Sequence, residues 1–284
     1  MIRYVKEKIV KQIKKFILSL LCSLIWVGLQ AQDFSSENYW QDVNFKDTTL
    51  VSSKPFSDKM VAFLYQYACC EEEQFDSLSI AGVGLIMEKV KVNMRVYEYA
   101  LDYLLNGYAA MGKSQVVDYL LSYPKLLEGD ITMEEGLRLD SITEPYQKVK
   151  VGAQAPDFKG VTIDGKPYHL LESAADKVIV VFWSTDCEYC HDFLTQIRKH
   201  LNLKSEYELV TFALAESQEE VAETVKKMRL QGYHFYDPKR WESQAFLDYH
   251  ITSTPTVFLL DKEKNIVCKP YDWFELKLYI NENK

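Results

Sequence analysis

Glycine and proline are scarce, 11 and 8 in 284 residues, too few for a disordered or low-complexity chain. Basic charge is short as well: 33 Lys and Arg stand against 41 Asp and Glu. The formal net charge of −8 argues against a nucleic-acid partner, whose phosphates need a basic face. No internal repeat is present at a period that would signal a solenoid or a propeller. Six cysteines are too few for a disulfide scaffold, and only one pair has the C-x-x-C spacing. What is left is 48% hydrophobic and 26% charged, and at roughly 100–200 residues per domain the length suggests two domains, each with its own core.

Residues 1–31 read as a leader. Arg3, Lys6, Lys8, Lys11, Lys14 and Lys15 against Glu7 make a basic start, and Phe16–Leu29 follows as a mostly apolar run ahead of the small residue Ala31. That is the plan of a secretory signal peptide, and the run is short for the ~20 residues of a spanning helix. Should it stay uncleaved, it would hold the protein on the outer face of a membrane. Cys22 belongs to the apolar stretch. Losing six basic side chains and one acidic one takes the net charge from −8 to −13, so the expected mature protein is acidic, exported and periplasmic. An oxidising compartment permits disulfides, yet the five remaining cysteines are odd in number, so at least one thiol stays free or pairs transiently. Cys69 and Cys70 are adjacent, could bridge only through a strained ring, and are expected to be thiols; Cys268 reads as a core residue.

Residues 32–148 read as an all-α N-terminal domain. Met60, Phe63, Leu64 and Tyr67 share one face of a helix over Ser57–Tyr67, and the pattern continues over Ile80–Val90, Met94–Met111 and Val116–Tyr123. Thr132 and Glu135 have capping-box spacing for a last short helix, and the stretch from Glu144-Pro145 to Lys150 reads as a linker. From Val149 the rhythm becomes that of an α/β domain with a central mixed sheet flanked by helices, residues 149–284. Asp164-Gly165 marks a hairpin, Lys177–Trp183 and Leu209–Ala215 are apolar runs of the kind buried on both faces, and Thr256–Leu260 and Asn265–Lys269 pair across a charged turn. Helical patterns follow each buried run and end the chain at Trp273–Ile280.

The chemistry is concentrated at Cys187-Glu188-Tyr189-Cys190, directly after a buried strand and at the start of a helix. Unpaired N–H groups at a helix start stabilise a thiolate on the first cysteine, and the spacing sets the second sulfur on the same face, able to attack a mixed disulfide. Three rival chemistries use the same residues. Zinc needs two more ligands, and no second C-x-x-C exists. A purely structural disulfide is seldom built on a helix start. Cys190-His191 completes C-x-x-C-H, the haem-attachment signature, but the motif follows an all-apolar strand in an α/β pattern, and His191 reads as an exposed second-turn residue.

Gly152-Ala153-Gln154-Ala155-Pro156-Asp157-Phe158, then Phe182-Trp183-Ser184-Thr185-Asp186 leading into the dithiol, then Ile251-Thr252-Ser253-Thr254-Pro255-Thr256 before a strand, together resemble exported thioredoxin-like proteins of the TlpA/ResA group, related to AhpC/TSA proteins. The resemblance covers roughly Val149 to Lys284. It implies a thioredoxin fold, a cis Pro255 beside the dithiol, a Thr254 backbone that receives a substrate chain, and an acid at Glu216 that moves protons. Trp183 and Tyr189 are expected to contact substrate with Thr254. The strand position that carries a buried Asp in thioredoxin is Val181 here. Asn38-Tyr39-Trp40 and the Tyr- and Leu-rich helices resemble, more weakly, a helical domain of unknown function that accompanies such thioredoxins.

The expected protein is therefore a thiol–disulfide oxidoreductase without a cofactor. Its partners would be disulfide-bearing protein clients and, by the resemblance, a membrane electron donor that re-reduces it. Asp186 and Glu188 oppose the Cys187 thiolate, which makes the couple more reducing. Two alternatives stand beside this. One is a client-binding module with a structural or vestigial dithiol. The other is a peroxiredoxin-like peroxidase, which shares the Gly152–Phe158 start but wants a Thr three residues before its cysteine, where Thr185 is only two before Cys187.

Overall fold

The computed structural model describes residues 36–68, 74–127, 131–201 and 207–281. The leader, Cys22, Cys69 and Cys70 lie outside the described residues. A single helical turn, Ser36–Tyr39, precedes the main body. From Phe45 onward the chain forms one compact unit that contains both a helical region and a sheet region.

The helical region holds α1 (Lys54–Ala68), α2 (Phe75–Val90), α3 (Met94–Ala110), α4 (Ser114–Ser122) and α5 (Met133–Lys148). The apolar residues spaced as stripes are buried, Met60 and Phe63 on α1 and Tyr97, Leu101, Leu104 and Leu105 on α3, and α2 buries Ile86 and Met87. Asn93 caps α3 through the Arg95 N–H, and Pro124 sits in a 3₁₀ turn, Tyr123–Leu127, just past the end of α4. Thr132 and Glu135 form the expected capping box. Buried Glu98 on α3 accepts a 2.7 Å hydrogen bond from Arg138 Nε on α5, tying those helices together.

One expectation fails here. Instead of a linker beginning at Glu144-Pro145, α5 continues through Pro145 to Lys148. Proline forfeits one helical hydrogen bond, but Leu139, Thr143 and Tyr146 form a buried face on the same helix. The Tyr146 ring packs edge-on against His250 of the sheet region at 4.5 Å, so tertiary contact holds the last turn.

The sheet region opens with a hairpin of β1 (Lys159–Val161) and β2 (Pro167–His169), turning at Gly165 with φ +83°. The main sheet contains β3 (Lys177–Ser184), β4 (Tyr207–Leu214), β5 (Tyr233–Tyr236), β6 (Thr256–Leu260) and β7 (Ile266–Cys268), in the order β5-β4-β3-β6-β7. Strands β3, β4 and β5 run parallel, while β6 and β7 are antiparallel to their neighbours, which makes the sheet mixed as expected. Helices α6 (Glu188–Leu201), α7 (Gln218–Met228), α8 (Gln244–Asp248) and α9 (Trp273–Asn281) flank it. Strand β3 is central and buried on both faces. Val178, Val180 and Phe182 face one core with Phe212, Tyr249 and Phe258, whereas Ile179, Val181 and Trp183 face the other with Cys190, Leu194 and Leu276. Cys268 is a buried free thiol whose pKa burial pushes up to about 12, consistent with a core residue.

His234 on the edge strand β5 is buried, and its Nδ1 lies 2.9 Å from Thr211 Oγ1. Burial pushes its pKa down to about 4. Because the unfolded chain takes up that proton first, stability that is complete above the ordinary histidine pKa of ~6.5 is lost as the pH falls toward 4. Between pH 7 and pH 5 this group should cost about 2 kcal/mol. Urea unfolding of the wild type and of His234→Asn at both pH values checks the figure: the acid-induced loss should be smaller in the variant by about that amount. The subtraction also removes the contribution of His169, which Asp157 and Glu172 shift upward and which acts in the opposite sense.

Candidate active site

Strand β3 ends at Ser184, and α6 begins at Glu188 after three intervening residues. Cys187 sits at the N-cap of that helix. Its carbonyl accepts the first helical hydrogen bond, from the His191 N–H at 3.1 Å, and its Sγ receives the Cys190 N–H, also at 3.1 Å. A sulfur thus occupies the place that a Ser or Asp oxygen takes in an ordinary cap. The N–H groups and the dipole there favour negative charge, so on reduction Cys187 is the thiol placed to ionise. Cys187 and Cys190 are joined as a disulfide, with Cα atoms 5.1 Å apart. Their environments differ sharply: Cys187 is half-buried and reachable, whereas Cys190 is 0% exposed within the core beneath the helix.

The loop before β6 meets this helix start. The Thr254–Pro255 peptide bond is cis, and the Thr254 carbonyl oxygen lies 3.9 Å from Cys187 Sγ. The backbone of Thr254 and the reachable sulfur are therefore side by side at one end of the sheet. Tyr189 is exposed between the cysteines, and its hydroxyl approaches the carbonyl of Tyr271 at 3.5 Å.

Two expected site residues are otherwise engaged. Trp183 does not reach a client-facing surface: it is fully buried, on the same face of β3 as Val181, and packs beneath Cys190. Strand parity is the reason, since alternate residues of β3 point to opposite sides and Trp183 falls on the dithiol-helix side. Glu216 follows β4, is exposed, and is held by Arg240 Nη1 at 2.6 Å. His191, read as exposed, is half-buried with its ring 5.9 Å from Trp183.

A second acid, Glu220, touches the loop before the dithiol. The Glu220 carboxylate accepts the Glu216 N–H at 3.0 Å and a hydrogen bond from the Thr185 side chain, two residues before Cys187. These bonds hold its pKa below the ordinary carboxylate range. Its signal was present as Ser217-x-x-Glu220, the spacing of a capping box, and the Ser217 hydroxyl does accept the Glu220 N–H.

Residues 151–269 match the AhpC/TSA family model. The thioredoxin-like protein YneN of Bacillus subtilis (strain 168) is 28% identical over 134 residues, which span 45% of this chain and 76% of that protein. Among solved structures, a thioredoxin-like protein from Bacteroides caccae ATCC 43185 superposes with a TM-score of 0.57 at 18% identity, covering 85% of this chain and 90% of that one. That likeness is one of fold, and at this coverage it takes in helical region as well as sheet region. The sheet region is thus similar to AhpC/TSA-family domains, and the chain has the fold of thioredoxin-like proteins and resembles the TlpA/ResA group.

Proposed function

We propose that the protein is an exported thiol–disulfide oxidoreductase acting as a reductase on protein clients. The observation that carries this is the asymmetry of the dithiol. One sulfur is reachable and placed in the N-cap hydrogen bond of α6; the other is buried directly behind it. In the reduced protein the Cys187 thiolate attacks a client disulfide, forming a mixed disulfide and expelling one client thiolate, which takes up a proton. Cys190 loses its proton and attacks Cys187 Sγ, closing the protein disulfide and releasing the second client thiol. Two electrons pass to the client and the protein is left oxidised, so a membrane electron donor must re-reduce it. The Thr254 backbone and Tyr189 border the attacking sulfur and would hold the client chain. The basic-apolar leader supports placement outside the cytoplasm. Glu216, the proton-moving acid implied by resemblance, is taken up by Arg240, so proton transfer is better served by Glu220 through Thr185.

Direction follows from charge. Asp186 and Glu188 flank Cys187 and are both exposed, so they oppose the thiolate through solvent and shift the couple by a modest amount. The expected midpoint lies between about −200 and −270 mV, on the side of thioredoxin rather than of the strong oxidant DsbA. Equilibrating the purified protein with glutathione or dithiothreitol tests this, with Cys187→Ala as control. A reversible two-electron couple in that range, absent from the control, supports the reductase. A midpoint above roughly −150 mV overturns the direction, and a bond resistant below about −300 mV makes the disulfide structural.

A further inference from the structure

The apolar surface beside the dithiol does not end with the sheet region. Beyond Tyr189 it passes to Tyr271 and then onto α9, which buries Leu276 and Ile280 in the core beneath Cys190 and turns Phe274 and Leu278 outward. Phe274 and Leu278 are four residues apart, hence on one face of the helix, and are 75% and 59% exposed. Facing them is the turn between α3 and α4. Gly112 in that turn has φ +67°, and a Cβ there would lie 2.7 Å from the Tyr271 Cβ, so the helical region rests directly on the loop that leads away from the dithiol. The two regions enclose an open groove of about 1010 Å³, with Met111 on one wall and Phe274 and Leu278 on the other.

Large side chains of this kind seldom lie exposed in a continuous patch unless something covers them. The charges restrict what that is. Lys113 on the helical wall is 3.8 Å from Asp76 and over the Phe75 ring. Asp272 and Glu275 cap α9, accepting the Glu275 and Tyr271 N–H groups. At the dithiol end, Asp186 and Glu188 are exposed carboxylates on either side of Cys187.

We infer that this groove is the client site: an extended client segment runs from the dithiol across Tyr271 to the α3–α4 turn, with a basic residue beside its cysteine and an apolar side chain seated between Met111 and Phe274. The inference rests on the proposed reductase activity and assigns to the helical region a task in it, that of one wall of the substrate groove. Tyr189, between the two cysteines, touches Tyr271, which lines the groove, and this adjacency to the reachable sulfur commits the occupant to a redox client.

Two peptides serve as probes, each bearing one cysteine as its mixed disulfide with thionitrobenzoate. One has Arg next to the cysteine and Phe and Leu a few residues away; the other has Glu and Gly at those places. Glutathione carrying the same leaving group is the reference. The reduced wild-type protein should release thionitrobenzoate from the Arg/Phe/Leu peptide at least about tenfold faster than from either comparison, the loss expected when an aromatic anchor is missing. In Met111→Glu and Phe274→Glu that ratio should fall by about tenfold, with the melting temperature confirming that both variants are folded. Equal rates above background on all three substrates in the wild type, or ratios unchanged in both variants, would overturn the inference. So would a concentration-dependent dimer of the wild type that Phe274→Glu abolishes, which would give the patch to a second copy of the chain. Binding of the Cys→Ser form of the Arg/Phe/Leu peptide to the oxidised protein, followed by calorimetry, needs no redox step. If that binding is lost in the variants while no substrate is reduced by the wild type, the groove stands and the reductase assignment falls.

Discussion

Cys187→Ser is expected to abolish client reduction, whereas Cys190→Ala is expected to allow the first chemical step and block the second. The two sulfurs are three residues apart yet occupy opposite environments: Cys187 is at the helix cap beside the Thr254 carbonyl, and Cys190 is 0% exposed among Trp183, Leu194 and Leu276. A client sulfur can approach only the first. Without Cys187, Cys190 cannot substitute, because attack on a disulfide needs an accessible thiolate and burial in apolar surroundings raises a thiol pKa. Turnover should therefore fall to the background rate of the reductant alone. Without Cys190, Cys187 still attacks, but nothing behind it resolves the bond, so one equivalent of client remains covalently attached. Insulin reduction by dithiothreitol reads the first effect, and intact-mass analysis after a single mixing with oxidised client reads the second. An adduct on Cys190 in the Cys187→Ser protein would reverse the assignment of attacking and resolving sulfur. A full rate of reduction in either variant would remove the dithiol from the mechanism.

Where sequence and structure agree, local rules were enough. The strand–C-x-x-C–helix unit, the Asp164-Gly165 hairpin, the Thr132/Glu135 capping box and the apolar stripes of α1 to α4 each follow from patterns a few residues long. The failures share one cause, which is packing between residues distant in sequence. Pro145 looked like the end of a helix, and only the contact of Tyr146 with His250 explains why α5 runs past it. Strand β5, Tyr-His-Phe-Tyr, has four residues and no polar–apolar alternation, so nothing in it announced a strand before Val210–Ala213 supplied the pairing. Trp183 beside the dithiol suggests a substrate contact, but alternation along β3 puts it on the face that α6 and α9 cover, where Cys190 and Leu276 pack with it. The cis state of Thr254–Pro255 was legible only through the family resemblance, since most X–Pro bonds are trans. The groove was not legible at all, because it depends on Gly112 meeting Tyr271.

The same two-faced strand leads to the largest expected change in stability. Phe182 and Trp183 are neighbours in β3, but Phe182 points away from the dithiol, into the core where it stacks on Phe212 at 5.0 Å and meets Phe246, Tyr249 and Phe258. Phe182→Ala removes a fully buried ring from among rings that cannot all collapse into the space, so the cost combines lost transfer energy with a cavity and should reach about 3–5 kcal/mol. Against a total of roughly 5–15 kcal/mol for a folded domain, that is a large fraction, and a fall in melting temperature of about 10 °C is the corresponding calorimetric result. Phe182→Leu should cost about half as much, because most of the volume is retained. The dithiol supplies the internal control. Cys190 and Trp183 lie on the opposite face of the sheet, so while the variant remains folded its redox midpoint should equal that of the wild type. A midpoint that moved with Phe182 would mean that the two cores are coupled through the backbone of β3. A loss of stability below about 1 kcal/mol would mean that the aromatic cluster repacks around the missing ring.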